Sequence, residues 1–206
     1  YFLFLSYSLG PVAIPATLMF LYLPIVYGFS IFTKNQRLSL IKSSAIASVL
    51  LGAILTTQIF STFHQGSVLA SVIAASCASM CYALVFILTP GVGAYTSAEF
   101  RSFTVSGVGL LGCLVILQSA PSLWYDLGDN AVKFYIFALL LGVVGQALPV
   151  ISLMKGLPLT GSSLGGVVAS IELPVAVFSA LFLLGEALTL SKLIGVFFVL
   201  LGIIIY

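Results

Sequence analysis

The chain is built from long apolar runs that are separated by short polar segments. A transmembrane helix needs about 20 mostly apolar residues, and seven runs reach roughly that length. The seven predicted spans are residues 11–33, 43–60, 67–89, 102–121, 134–154, 156–185 and 187–206. Residues 1–10 are predicted to be the end of an eighth helix, and residues 155–158 a very short turn between antiparallel helices.

The composition is that of a membrane protein. Of the 206 residues, 61% are hydrophobic and only 6% are charged, whereas about a quarter of the residues in a soluble domain are charged. Seven basic and five acidic residues cannot supply the surface of a soluble fold of this size. The predicted fold class is therefore an all-α, polytopic transmembrane helix bundle. A net charge of +2 is too small to recruit nucleic acid.

The sequence offers no residues for catalysis or for a bound cofactor. His64 is the single histidine, and Cys77, Cys81 and Cys113 lack metal-ligand spacing. We therefore expect no enzyme activity, no metal and no cofactor. A membrane-embedded enzyme would need a nucleophile or a metal cluster in sequence upstream of Tyr1.

Basic residues predict the orientation in the membrane. One set of span ends carries five of them, and the other set carries two, at positions 133 and 192. The positive-inside rule places the first set in the cytoplasm. This set comprises Lys34, Arg37, Lys42, Arg101 and Lys155.

An internal repeat relates the two ends of the chain. A shift of 150 residues aligns 20–56 with 170–206 without a gap and gives 11 identities in 37 positions, where chance would give about three. Five span-to-span steps separate the copies, so equivalent helices are predicted to point in opposite directions. Inverted repeats are typical of secondary transporters, whose sites lie near the bilayer midplane. An old duplication without a present role in function would leave the same pattern.

Several motifs resemble those of a known family. LGPVAIPATLMFLYLPIVYG at 9–28 resembles the fourth helix of EamA-type members of the drug/metabolite transporter (DMT) superfamily. ELP at 172–174, LGEALT at 184–189 and IGVFFVLLGI at 194–203 are similar to the family's last two helices in order and spacing. The resemblance implies ten helices in two inverted repeats of five, of which this chain lacks the first two and most of the third.

The resemblance also implies a domain organisation and a function. Residues 1–60 would be the end of the first EamA-like repeat, and residues 67–206 the complete second repeat. Such proteins move small metabolites, amino acids, nucleobase-like compounds and drugs, and many are thought to be driven by a proton or substrate gradient. We predict a secondary transporter, and specifically an exporter, of small organic metabolites or drugs that works by alternating access. The alternative is a seven-helix receptor or sensor without transport activity.

The same interpretation predicts the partners of the protein. They are a small-molecule substrate, the lipid bilayer and coupling protons, and a homodimer is compatible with it. The expected location is the bacterial plasma (inner) membrane.

Glu172 is the strongest candidate for a functional residue. It lies roughly midway between Lys155 and Gly185, and therefore near mid-bilayer, where a carboxylate costs about 2.5 kcal/mol or more. It should be protonated or face a polar cavity, and would serve as a proton site or as a ligand for a cationic or amine group. The alternative is a hydrogen-bonded structural residue before a helix kink at Pro174.

Tyr22 is the repeat partner of Glu172. Each precedes a proline by two residues, at Pro24 and Pro174, and prolines bend helices. The pair would frame a central cavity from opposite sides, or Tyr22 would contribute to helix packing alone.

Two further side chains complete the predicted site. Gln146 and Pro149 interrupt the apolar run 134–154, so Pro149 would kink the helix and Gln146 would bind substrate or link helices. Tyr82 would line the cavity, or would lie in the core or against lipid.

Small residues are predicted to shape the last two helices. Gly185 would end one helix, and Glu186 would cap the next one rather than act as a gate. Gly195 and Gly202 share a helix face and would permit close packing. The cavity is expected between spans 11–33, 67–89, 134–154 and 160–184, with 43–60 and 187–206 as outer scaffold.

Overall fold

The computed structural model of the chain describes residues 2–34, 38–58, 68–119, 131–185 and 188–206. Regular secondary structure in these ranges is helical. The helices are α1 Phe2–Leu9, α2 Ala13–Leu18, α3 Tyr22–Lys34, α4 Leu40–Thr57, α5 Val68–Val92, α6 Ala98–Ser119, α7 Ala131–Leu140, α8 Leu148–Thr160, α9 Ser162–Ala169, α10 Glu172–Leu184 and α11 Leu190–Ile205. A 3₁₀ turn at Met19–Leu21 precedes α3, and a π-helical segment at Leu141–Ala147 joins α7 to α8.

These helices confirm the predicted all-α membrane fold. Among the described residues, five helical segments are long and apolar enough to cross a bilayer: Ala13–Thr33, Leu40–Thr57, Leu69–Val92, Val132–Thr160 and Ser162–Phe182. Helix α11 is also apolar but shorter. The described part of the predicted span 102–121 falls on α6, and its last two residues lie outside the described residues. Helix α6 starts earlier because the Ser97 hydroxyl accepts a hydrogen bond from the Phe100 N–H (3.2 Å) and caps the helix.

The predicted turn at residues 155–158 is wrong. Helix α8 continues to Thr160 with Pro158 inside it. A proline removes the hydrogen bond from its own nitrogen to the carbonyl four residues earlier, which here is Met154. The guanidinium of Arg101 donates to this carbonyl instead (Nη2–O 2.5 Å). The chain turns at Gly161, whose φ of +79° glycine adopts without strain.

The chain forms two compact units. The first consists of Tyr1–Leu88 and Thr160–Tyr206, and the second of Thr89–Leu159. In the second unit, Arg101 joins the start of α6 to the end of α8, and only 8% of this residue is exposed. An ion pair between Lys155 and Glu99 (2.8 Å) bridges the same two helices at the surface.

In the first unit, α4 and α11 pack closely at glycines. A Cβ at Gly52 would lie 2.6 Å from the Val199 side chain, and a Cβ at Gly202 would lie 2.7 Å from the Val49 side chain. Positions 49 and 52 are the repeat equivalents of 199 and 202, so the two contacts are related by symmetry. The numbers rise along one helix as they fall along the other, and the two helices are therefore antiparallel.

A second close contact extends this interface. Gly195 lies against Thr56, where a side chain at position 195 would overlap the threonine hydroxyl. The Ser191 hydroxyl donates a hydrogen bond to the carbonyl of Leu55 (2.8 Å). Gly195 and Gly202 thus permit the close packing that their spacing predicts.

Candidate functional site

Tyr22 is buried where the first membrane helix is interrupted. It begins α3 directly after the 3₁₀ turn, with Pro24 in the same turn of helix. Its hydroxyl donates a hydrogen bond to the carbonyl of Gly166 in α9 (2.8 Å). Because Gly166 has no side chain, the Tyr22 ring lies directly against the α9 backbone, and a Cβ at 166 would be 3.3 Å from the ring.

Three aromatic rings, Tyr22, Tyr82 and Phe86, form an aromatic cluster. Tyr22 stacks on Phe86 with ring centroids 4.9 Å apart, and Tyr82 meets them edge-on at 5.0 and 5.1 Å. Tyr82 and Phe86 share a face of α5 because they are four residues apart. Tyr22 and Phe86 are fully buried, whereas Tyr82 is half-buried. Stacked and edge-on pairs of this kind stabilise aromatic clusters beyond the area they bury.

Glu172 begins α10 at the corresponding interruption of the second repeat. Helix α9 ends at Ala169, so Glu172 lies in the first turn of a new helix, a favourable position for negative charge. Its side chain is exposed rather than enclosed in the core. Among the described residues it makes no hydrogen bond or ion pair, but its charge is close enough to act on Tyr7, Tyr22 and Tyr82.

Helix α1 brings Tyr7 into this group. Ser6 donates a hydrogen bond to the carbonyl of Ser71 (2.8 Å), and Ser71 donates one to the carbonyl of Ser6 (3.0 Å). Both serines are fully buried. This reciprocal pair fixes α1 on α5, the helix that also carries Tyr82.

The arrangement is thus one carboxylate beside an aromatic cluster, at two helix interruptions that the repeat relates. A sequence model of the EamA-like transporter family matches residues 69–206, more than half of the chain. The chain belongs to the EamA-like transporter family. No curated protein matches it. The family confirms an integral multi-pass membrane protein and a transporter of the drug/metabolite type, in preference to a receptor.

In this EamA-like transporter, Gln146 and Pro149 belong to the second unit, whereas Glu172, Tyr22 and Tyr82 belong to the first. Gln146 is exposed within the π-helical segment Leu141–Ala147, and Pro149 is the second residue of α8. The wide π-helical turns come directly before the proline, a residue that breaks the regular hydrogen-bond ladder. A role for Gln146 in substrate binding stays a prediction.

The predicted helix breaks at Pro24, Pro174 and Gly185 lie at or next to helix ends. Pro24 and Pro174 are each the third residue of a helix, and each follows an interruption. Helix α10 ends at Leu184, where Gly185 has a left-handed backbone with φ of +67°. Glu186 lies outside the described residues, so its capping role stays a prediction.

Three members of the group were not predicted from the sequence: Tyr7, Phe86 and Gly166. The four-residue spacing from Tyr82 is a signal that points to Phe86. Tyr22 and Gly166 are 144 residues apart in sequence, and no local pattern relates them. In the part of the chain that the structure describes, no three His, Cys, Asp or Glu residues are grouped so as to hold a metal ion.

Proposed function

We propose that this transporter exports small organic metabolites or drugs by alternating access, with Glu172 and the aromatic cluster in the substrate site. The observation that carries the proposal is the place of Glu172 at the start of an interrupted membrane helix, the position that corresponds in the repeat to that of Tyr22 at the start of α3. Interrupted helices whose ends meet at the midplane form the sites of many secondary transporters.

The chemistry of this group favours a substrate with an amine or another cationic group. A carboxylate without a partner costs about 2.5 kcal/mol or more at the centre of a bilayer, and a cation or a proton removes that cost. The faces of Tyr22, Tyr82 and Phe86 attract cations and apolar rings. A small amine with an apolar body satisfies both features.

The same carboxylate offers a way to couple transport to protons. A proton and a cationic substrate would compete for Glu172, so that each is released when the other binds. With a proton gradient directed inward, this exchange drives export of the substrate.

The proposal assigns the movement during transport to the two repeats. Residues 1–60 and 67–206 would contribute the two repeats that move relative to each other in the bilayer. We place the transporter in the bacterial plasma membrane, where a homodimer is compatible with its function, and assign it transport without catalysis.

The test compares wild type with Glu172→Gln and Glu99→Gln, each expressed from the full-length gene in a sensitive bacterial host. Growth is measured against amines, dyes, amino acids and nucleobases at several pH values. We expect wild type and Glu99→Gln to raise tolerance to amines and Glu172→Gln to lose that tolerance. Glu99→Gln is the matched control because Glu99 is an exposed carboxylate in the second unit.

Tolerance and pH dependence that persist in Glu172→Gln would remove the carboxylate from the mechanism. If wild type changes tolerance to none of the compounds, export is contradicted, and uptake of the same compounds would then be measured.

A further inference from the structure

A cleft of about 280 Å³ opens in the first unit where α9 begins, and Lys42, Ser162, Ser163, Leu164 and Tyr206 are among the residues that line it. Its volume is slightly below the range of roughly 300–1,000 Å³ typical of drug-sized ligands. The cleft therefore suits a single small group better than a whole drug molecule.

The start of α9 supplies backbone donors to this cleft. The first regular backbone hydrogen bond of the helix runs from the Gly165 N–H to the Gly161 carbonyl (3.0 Å). The preceding N–H groups, of Ser162, Ser163 and Leu164, have no acceptor within the helix. They are the positive end of the helix dipole, which attracts anions.

Two serine hydroxyl groups add to these donors. Ser162 is only 7% exposed and lines the cleft, yet its hydroxyl has no hydrogen-bond partner among the described residues. The Ser163 hydroxyl accepts a hydrogen bond from the Tyr206 hydroxyl, so its own hydrogen is available to a ligand. A hydroxyl that has no partner within the protein can donate its hydrogen to a ligand oxygen in the cleft.

Lys42 supplies a positive charge at the same place. Its ammonium lies 5.3 Å above the centre of the Tyr206 ring, and it makes no ion pair with a described carboxylate. The described acidic residues, Glu99 and Glu172, are not among those that line the cleft. Among the described residues, the cleft thus combines the Lys42 ammonium with the hydroxyl groups of Ser162 and Ser163 and with the first backbone N–H groups of α9.

We infer that this cleft binds a phosphate-type oxyanion, held by Lys42, Ser162, Ser163 and the first N–H groups of α9. Such a group occurs on anionic lipid headgroups and on soluble phosphates. The predicted orientation places Lys42 on the cytoplasmic side, where anionic lipids are concentrated. The inference does not depend on the proposed substrate or on Glu172.

The experiment uses the purified protein in nanodiscs of phosphatidylcholine, with Lys42→Gln, Ser162→Ala and the control Lys192→Gln. Lys192 is the repeat equivalent of Lys42 and does not line the cleft. Binding of inorganic phosphate is measured by calorimetry, and retention of added phosphatidylglycerol by native mass spectrometry. We expect about tenfold weaker binding in Lys42→Gln and about threefold weaker binding in Ser162→Ala, with Lys192→Gln unchanged.

The binding results either support the proposed oxyanion site or overturn it. If phosphatidylglycerol alone binds with this pattern, the site takes a lipid headgroup, and if inorganic phosphate also binds, it takes soluble phosphates as well. Equal losses in Lys42→Gln and Lys192→Gln would mean unspecific charge attraction and would overturn the inference. Absence of binding by both probes in a wild-type sample that unfolds cooperatively would overturn it too.

Discussion

The Ser48 hydroxyl donates a hydrogen bond to the carbonyl of Phe198 (2.7 Å), a residue 150 positions further along the chain. That separation is the period of the internal repeat, so the hydrogen bond joins two repeat-equivalent positions. Equivalent residues contact each other only near the axis that relates two copies. The pseudo-two-fold axis of the repeat therefore passes between α4 and α11.

Gly202→Ala should destabilise this interface. The new Cβ would lie 2.6 Å from the carbonyl oxygen of Ala45, and overpacking of this kind costs about 1–3 kcal/mol. Gly112→Ala is the control, because a Cβ at that position meets no atom within 4 Å. The free energy of unfolding is measured by denaturant titration in detergent micelles, and equal values for the two variants would contradict the proposed close contact.

Tyr22→Phe should weaken the link between α3 and α9. The change removes the hydrogen bond to the Gly166 carbonyl and keeps the ring, for a loss of about 0.5–1.5 kcal/mol in unfolding free energy. Tyr95→Phe makes the same change at a tyrosine that is 90% exposed and should have no effect. A loss of the same size in both variants would show that the hydrogen bond is not its source.

Arg101 and Pro158 should be energetically coupled. Arg101→Met leaves the Met154 carbonyl without the guanidinium donor, at a cost of about 1–3 kcal/mol. Pro158→Ala restores an N–H four residues after Met154, which can donate to the same carbonyl. Arg101→Met should therefore cost less in a Pro158→Ala background, and a double-mutant cycle measures the difference. Strictly additive costs would refute this coupling.

Glu99 should titrate below the ordinary range of a glutamate. The hydrogen bond from Lys155 lowers the pKa of Glu99 in the folded protein. The ion pair therefore contributes its stability above the unfolded pKa and loses it as pH falls through the lower folded value. Both side chains are more than half exposed, so the effect on overall stability should be small.

The measurement for this ion pair is a ¹³C NMR titration of the Glu99 carboxyl. Lys155→Met should raise its pKa toward the ordinary value, whereas Lys133→Met, at a lysine outside the ion pair, should leave it unchanged. High salt should shift the wild-type pKa in the same direction as Lys155→Met. An unshifted pKa in Lys155→Met would show that Lys155 is not the cause.

The candidate site was only partly predictable from the sequence. The repeat alignment pairs Tyr22 with Glu172, because that relation is a property of residue order alone. Tyr7 and Gly166 could not be predicted as neighbours of this pair, since the packing of α1 on α5 and of α9 on α3 brings them there. Gln146 was predicted from its polarity, which does not reveal the unit to which a side chain belongs.

The sequence by itself determined the membrane class and the opposite orientation of α4 and α11. These depend on the length and polarity of local segments, which the bilayer selects directly. Only the tertiary structure decided that α8 continues through Pro158, because the donor that satisfies the Met154 carbonyl comes from Arg101, 53 residues away. It also decided which glycines lie in a helix interface, since a missing side chain matters only where a second backbone approaches it.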